Sequence, residues 1–210
     1  MIETSKKRIK SEILRCAKDF PHFARNYLKI VDINGSDAYL DLNRSQKMIL
    51  RSLETNNNLM ILKARKLGST TFVAGYFLWR ALFKKNTSIA VVAHTDEASR
   101  AIFTIYQHLY KNLPSEMRIS ATKSRQNELA LKSGSMIKVG TASSESFRGQ
   151  TYQYIHASEY AFWPSLDKTI MGLFGTADAN ATIILESTAN GLNEAYEMWK
   201  GESGFKKLFL

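Results

Sequence analysis

The sequence predicts an α/β fold built on a mostly parallel sheet, and three observations predict it. From residue 58 onward, short apolar runs alternate with stretches of helical spacing, the order that parallel sheets with covering helices require. One apolar run, Leu59 to Leu62, passes through a tight basic loop directly into a helical pattern, so strand, loop and helix N-terminus are contiguous. Two later runs end in carboxylate, hydroxyl and amide side chains, where open α/β sheets place their ligands.

Taken in order, Ser5 to Lys18 has helical spacing, with Ile9, Ile13, Leu14 and Ala17 on one side and charges on the other. Phe20 to Tyr27 follows as a short helix or turn, and Ser45 to Glu54 as a helix ended by the polar tract Thr55 to Asn58. Strand Leu59 to Leu62, helix Thr70 to Phe83, strand Ser88 to His94 and helix Asp96 to Asn112 come next, the last breaking before Pro114. The rhythm then changes. Arg118 to Thr122, Glu128 to Leu131 and Met136 to Thr141 read as short strands, with Lys132-Ser133-Gly134-Ser135 a hairpin turn, which makes a small antiparallel insertion. Tyr152 to Ala157 and Thr182 to Glu186 are two further strands, and a helix near Asn193 to Lys200 precedes a last strand, Lys206 to Leu210. Residues 1–40 are expected to form a basic helical N-terminal segment and 41–210 the α/β domain. The chain stops inside an apolar run, the expectation for a boundary within a longer polypeptide.

A length of 210 residues allows one good-sized core. The 29 Lys and Arg against 19 Asp and Glu give a formal charge of +10, favouring a polyanionic partner. Met1 to Lys29 alone carries +5, either a solvated helix face or a DNA-contacting arm. Cys16 is the only cysteine, which excludes an intrachain disulfide framework or a multi-cysteine zinc site and fits a reducing compartment. His22, His94, His108 and His156 have no metal-ligand spacing and are read as structural, with no zinc expected. The charged start and the lack of an apolar run near 18 residues give no signal peptide or membrane helix, and a cytosolic location is expected.

The loop Lys63-Ala64-Arg65-Lys66-Leu67-Gly68-Ser69-Thr70-Thr71 sits where a phosphate-binding loop belongs, yet departs from GxxxxGK[ST]. Aligned on that pattern, Lys63 takes the first glycine, Gly68 the second, Ser69 the lysine and Thr70 the metal-binding hydroxyl. A basic strand-to-helix turn capped by Ser69 or Thr70 is the plain alternative. Hydrolysis on such a loop also needs a strand-end carboxylate to order water. Tyr154 to Glu159 supplies one in Glu159, while Ser158 stands in the slot where an aspartate usually supports the metal. Glu186 leads into Ser187, Thr188, Ala189, Asn190 and Gly191, small polar groups able to bond a γ-phosphate or its water.

In combination, the variant loop, Phe147-Arg148-Gly149-Gln150, His156 to Trp163 and Glu186 to Gly191, in this order and spacing, resemble the ATPase domain of tailed-phage large terminases over about Asp41 to Leu210. The resemblance implies a P-loop NTPase fold, ATP and Mg²⁺ as cofactors, hydrolysis coupled to moving double-stranded DNA into a procapsid, and a nuclease domain beyond the present C-terminus. It implies the portal protein and small terminase subunit as partners, a homo-oligomeric ring on the procapsid or a monomer in isolation, and residence in the host cytoplasm.

Carried over by position, the resemblance gives Gln46 the adenine contact, and Gly68, Ser69, Thr70 and Thr71 the phosphate cradle. Thr70 becomes the Mg²⁺ ligand, with Ser158 in the second metal position. It makes Lys66 the phosphate-binding cation, with Lys63 as second choice. Glu159 becomes the catalytic carboxylate, and Ser187, Thr188 and Asn190 the motif coupling hydrolysis to movement. Arg148 and Arg65 are its candidates for the transition-state arginine, in trans and in cis. Sequence-independent grip on phosphates needs only scattered cations, and the N-terminal helix, Arg100, Arg118, Lys123 and Arg125 are candidates. A helicase-like ATPase and a degenerate loop module that binds without hydrolysis are the competing readings. Ser69 and Ser158 contradict the first and favour the second.

Overall fold

The computed structural model describes residues 2–125, 127–142 and 147–210, with side chains from residue 6 onward. Helices α1 (Ile2–Lys18) and α2 (Phe20–Tyr27) lead into a hairpin of β1 (Lys29–Val31) and β2 (Asp37–Tyr39), then α3 (Arg44–Leu53). Next come β3 (Asn58–Leu62), α4 (Ser69–Phe83), β4 (Ser88–Ala93), α5 (Asp96–Lys111), β5 (Ala121–Arg125), β6 (Glu128–Leu131) and β7 (Met136–Thr141). Strand β8 (Tyr152–Ser158), α6 (Leu166–Phe174), β9 (Ala177–Ser187), α7 (Glu194–Lys200) and β10 (Lys206–Phe209) complete the chain.

The main sheet runs β10-β3-β9-β8-β4-β7-β6-β5, parallel from β10 through β7 and antiparallel at β6 and β5. Successive side chains of a strand face opposite ways, and the core divides accordingly. Leu59, Ile61, Ile89, Val91 and Ile184 pack with α2, α4 and α5, whereas Met60, Ala90, Val92, Ile183 and Leu185 pack with α6 and α7. The expected mostly parallel sheet with helices on both faces and an antiparallel insertion is what the chain forms. Helix α4 is apolar around most of its circumference because α2 covers its outer side. Phe20 meets Phe72 edge-on at 5.7 Å, and Trp79 Nε1 donates to the Cys16 carbonyl at 2.8 Å.

Several elements differ from the sequence expectation. The strand expected over Arg118 to Thr122 begins at Ala121, because Met117 and Arg118 turn back onto the Pro114 carbonyl and Tyr110 ties down that of Ile119. Strand β9 starts five residues before Thr182, pairing Ala177 with Tyr152 across a register shift despite the polar Asp178 and Asn180. Helix α6 and the β1–β2 hairpin had no sequence counterpart. Among the described residues, no helix is long and apolar enough to cross a membrane.

Candidate active site

Three neighbouring parallel strands end at one level. Leu62 is in register with Ser187, and Ser158 with Glu186, so the ends of β3, β9 and β8 open one crevice. The loop from β3 to α4 closes one side of it. Gly68, the N-cap of α4, has φ 73° and offers no side-chain cap bond, so the first-turn amides of α4 face the crevice without a capping side chain. A Cβ at Gly68 would lie 2.9 Å from Gln46 Nε2, which donates to the Gly68 carbonyl at 2.9 Å. Gln46 also completes a capping box with Asn43, whose Nδ2 donates to the Leu67 carbonyl at 3.1 Å. The start of α3 thereby fixes the loop, and Gln46, expected at the adenine, is buried in that task.

A cavity of about 400 Å³ occupies the crevice, lined by Lys63, Arg65, Lys66, Thr70, His94, Glu159, Phe162 and Thr188. It brings together the expected loop cations, the expected metal-ligating hydroxyl and the expected catalytic carboxylate. Lys66 (φ 64°) and Glu159 (φ 50°) both hold left-handed backbone, a strained state for residues with a Cβ that concentrates at functional sites. In Glu159 this turns the side chain off the end of β8 toward β3. Its Oε1 accepts from Lys63 Nζ at 2.9 Å, and its Oε2 from the Thr188 N–H at 3.0 Å and hydroxyl at 3.2 Å. Ser187 Oγ lies 3.3 Å from the same oxygen. Burial pushes this carboxyl up, but the Thr188 amide and the Lys63 ammonium outweigh it and hold it below its usual value. Arg65 and Lys66 are exposed and have no ion-pair partner among the described residues.

Behind the cavity, on the α4 face of the sheet, lies a second carboxylate. Glu186 is fully buried; its Oε1 accepts from Thr70 Oγ1 at 2.6 Å and lies 3.1 Å from His156 Nε2 and 3.4 Å from Ser158 Oγ. Burial opposes its charge, but bonding to His156, the His156 and Lys63 charges and the Ser69 hydroxyl prevail and keep it well below the usual carboxylate range. Its other oxygen, Oε2, is buried without a protein partner. The oxygen donors here suit a hard divalent cation. Thr70 donates its one hydroxyl hydrogen bond to Glu186, and its lone pairs remain free for a metal.

Other expected residues fall elsewhere. Thr71 lines a separate cavity with Ile30, Val31, Thr104, Ile105, His108 and Leu109. Arg148 lines another of about 240 Å³, with Phe147, Lys168 and Thr176 among its walls. Asn190 donates to the Ala161 carbonyl at 2.8 Å, bracing the turn after Glu159. Ser69 and Ser158 are buried. On sequence alone His94 and His156 read as structural, and Glu186 and Phe162 have no role of their own. A carboxylate closing an otherwise apolar strand, beside a strand whose aspartate slot holds serine, was the signal for Glu186.

The parallel sheet, the glycine-capped loop at the N-terminus of α4 and the carboxylate across the crevice define a P-loop ATPase fold. A family model described as terminase large subunit, T4-like virus type, N-terminal, matches residues 60–206. The chain belongs to the terminase large subunit family. Among solved structures it is similar to the bacteriophage HK97 large terminase, with TM-score 0.69 and 19% identity over 87% of this chain and 40% of that one. It is similar also to the large terminase ATPase domain of Thermus phage P74-26, with TM-score 0.62 and 16% identity over 80% of each chain. The large terminase of a thermophilic bacteriophage, solved in complex with ADP, matches with TM-score 0.58 and 14% identity, over 80% of this chain and 45% of that one. The chain thus spans about 40% of the HK97 protein's length.

Proposed function

We propose that this chain is the ATPase motor domain of a viral large terminase, hydrolysing ATP to move double-stranded DNA into a procapsid. The observation that supports this best is the convergence of Lys63, Arg65, Lys66, Thr70 and Glu159 on one cavity. Its volume suits a small-molecule site, which typically measures about 300–1,000 Å³. The triphosphate lies against the first-turn amides of α4, with Lys66 and Lys63 reaching its oxygens. Glu159 orients the attacking water and takes its proton. Thr70 is the side chain that would hold Mg²⁺, which when bound would supply charge neutralisation at the phosphates.

The Lys63 contact gives this site a gate. While Lys63 bonds Glu159, the carboxylate is a weak base; a phosphate that draws Lys63 away removes that bond and a positive charge, and the base strengthens. Ser187 and Thr188, at the other oxygen of Glu159, feel the same change and transmit it along β9. Arg65 borders the cavity and fits the arginine role in cis. Arg148, on a different surface cavity, fits a role in trans within a homo-oligomeric ring. Double-stranded DNA, the portal protein and the small terminase subunit complete the proposed assembly, in the host cytoplasm.

The test is DNA-stimulated ATP turnover by the assembled packaging complex, with Glu159→Gln and Lys66→Ala as variants. Loss in both supports the reading, and unchanged turnover in both overturns it. The serines at 69 and 158 favour one alternative, a module that binds nucleotide or partner without hydrolysis. Mg²⁺-dependent ATP affinity without turnover in the assembled wild type would select it.

A further inference from the structure

We propose that Glu186 organises the metal-ligating hydroxyl of Thr70, performing from β9 the task that an aspartate at position 158 would perform from β8. The inference rests on the nucleotide-site reading above and adds a positioning residue to it. In P-loop NTPases the cation is held between the loop hydroxyl and an acidic residue at the end of a neighbouring strand. Position 158 has only a hydroxyl to offer. Ser158 and Glu186 are register partners on adjacent parallel strands, and partners in register present their side chains on the same face of a sheet. The missing charge therefore reappears one strand over, on the same side.

The geometry makes the transfer workable. Strand β9 lies between β8 and β3, so Glu186 stands closer to the loop strand than Ser158 does, and its longer side chain brings Oε1 within 2.6 Å of Thr70 Oγ1. Accepting the only proton of that hydroxyl leaves the oxygen's lone pairs for a cation. Ser158 Oγ lies 3.4 Å from the same oxygen, and His156 Nε2, at 3.1 Å, anchors the carboxylate from β8. Phe77 of α4 packs edge-on against the His156 ring, so the anchor is itself held. Glu159 cannot substitute, because its left-handed backbone turns it into the cavity, where the Thr188 amide and hydroxyl hold its Oε2. The two carboxylates thus divide the work: one faces the water, the other the metal ligand. An aspartate at 158 and a glutamate at 186 would crowd two negative charges into one buried space, so each makes the other unnecessary.

The experiment uses the 210-residue chain and a fluorescent ADP analogue, titrated with Mg²⁺ and, separately, measured in chelator. Glu186→Gln, nearly equal in volume, is expected to raise the Mg²⁺ concentration giving half-maximal affinity by about tenfold or more, as losses of supporting residues around metal ligands do. Affinity in chelator should stay unchanged. Ser158→Asp added to Glu186→Gln should bring the midpoint back toward wild type. Glu186→Asp keeps the charge beside His156 but shortens the reach to Thr70, so it should shift the midpoint even if Glu186→Gln fails to fold. A midpoint identical in wild type and both single variants overturns the inference, as does failure of the added aspartate to restore it. If the wild type binds no nucleotide under any condition, the underlying site reading falls and this inference with it. If it binds and only the Mg²⁺ response is indifferent to position 186, the site reading stands alone.

Discussion

Lys63 Nζ and Glu159 Oε1 are 2.9 Å apart across the mouth of the crevice, one at the end of β3 and the other at the end of β8, with side chains only 7% and 24% exposed. Neither charge has an equivalent replacement in water, so each is stabilised by the other. Lys63→Met should lower stability by about 1.5–3 kcal/mol, the range for a lost charge-assisted bond. Urea denaturation measures it. The variant should also raise the pKa of Glu159, readable by NMR of the carboxyl carbon.

Acid should reveal the same contact. The Glu159 carboxyl is held below its usual value by the Thr188 amide and the Lys63 ammonium. A group depressed on folding contributes stability that is complete above its unfolded pKa and disappears as pH falls through the folded one. Unfolding free energy should therefore begin to decline below about pH 4.3, the unfolded glutamate value. Lys63→Met should flatten that decline, and an unchanged slope would refute the pairing.

Lys66 offers the contrast. It is exposed and unpaired among the described residues, so Lys66→Ala should leave stability within about 0.5 kcal/mol of wild type. Affinity for ATP should nevertheless fall, measured by calorimetry. Reduced stability without reduced affinity would move the phosphate-binding role to Lys63.

Gly68→Ala forces a Cβ toward the Gln46 amide at 2.9 Å and a left-handed backbone on alanine. The backbone penalty alone is about 1–2 kcal/mol. Melting temperature should drop, and nucleotide affinity should drop with it because the loop can no longer hold its shape against α3. Preserved affinity would show that the α3 contact does not shape the site.

Glu159→Gln keeps the shape of the side chain while removing the base. Turnover should fall by about 10²–10⁴-fold, the usual worth of a positioned proton acceptor. Nucleotide affinity, followed with the fluorescent ADP analogue, should persist. Arg148→Ala, on a separate cavity, should leave that affinity untouched and affect turnover only in the assembled ring.

The parts of this chain that the sequence made legible are those governed by local rules. Leu59 to Leu62 followed by Gly68 and Thr70 announces strand, turn and helix, because apolar run, left-handed glycine and hydroxyl each have few other uses there. Glu159 was legible because it follows an apolar strand without interruption. Helix α6 was not, since it is only nine residues long with Gly172 inside it, and Ser165 enters it from left-handed backbone. The β1–β2 hairpin has only three residues per strand, too few for an alternation to register. The role of Glu186 could not be read locally, because it depends on β9 and β8 lying side by side in register, with 27 residues between Ser158 and Glu186 in the chain.

Asn190 and Asn193 both donate to the Ala161 carbonyl, each at 2.8 Å. One oxygen thus carries the whole amide linkage between the β9–α7 loop and the turn that follows Glu159, using both of its lone pairs. That oxygen lies two residues from Glu159, and Asn193 is also the N-cap of α7. A displacement of α7 that keeps the Asn193 bond carries the turn after Glu159 with it. The start of α7 and the turn behind the cavity carboxylate are in this way hinged on a shared carbonyl.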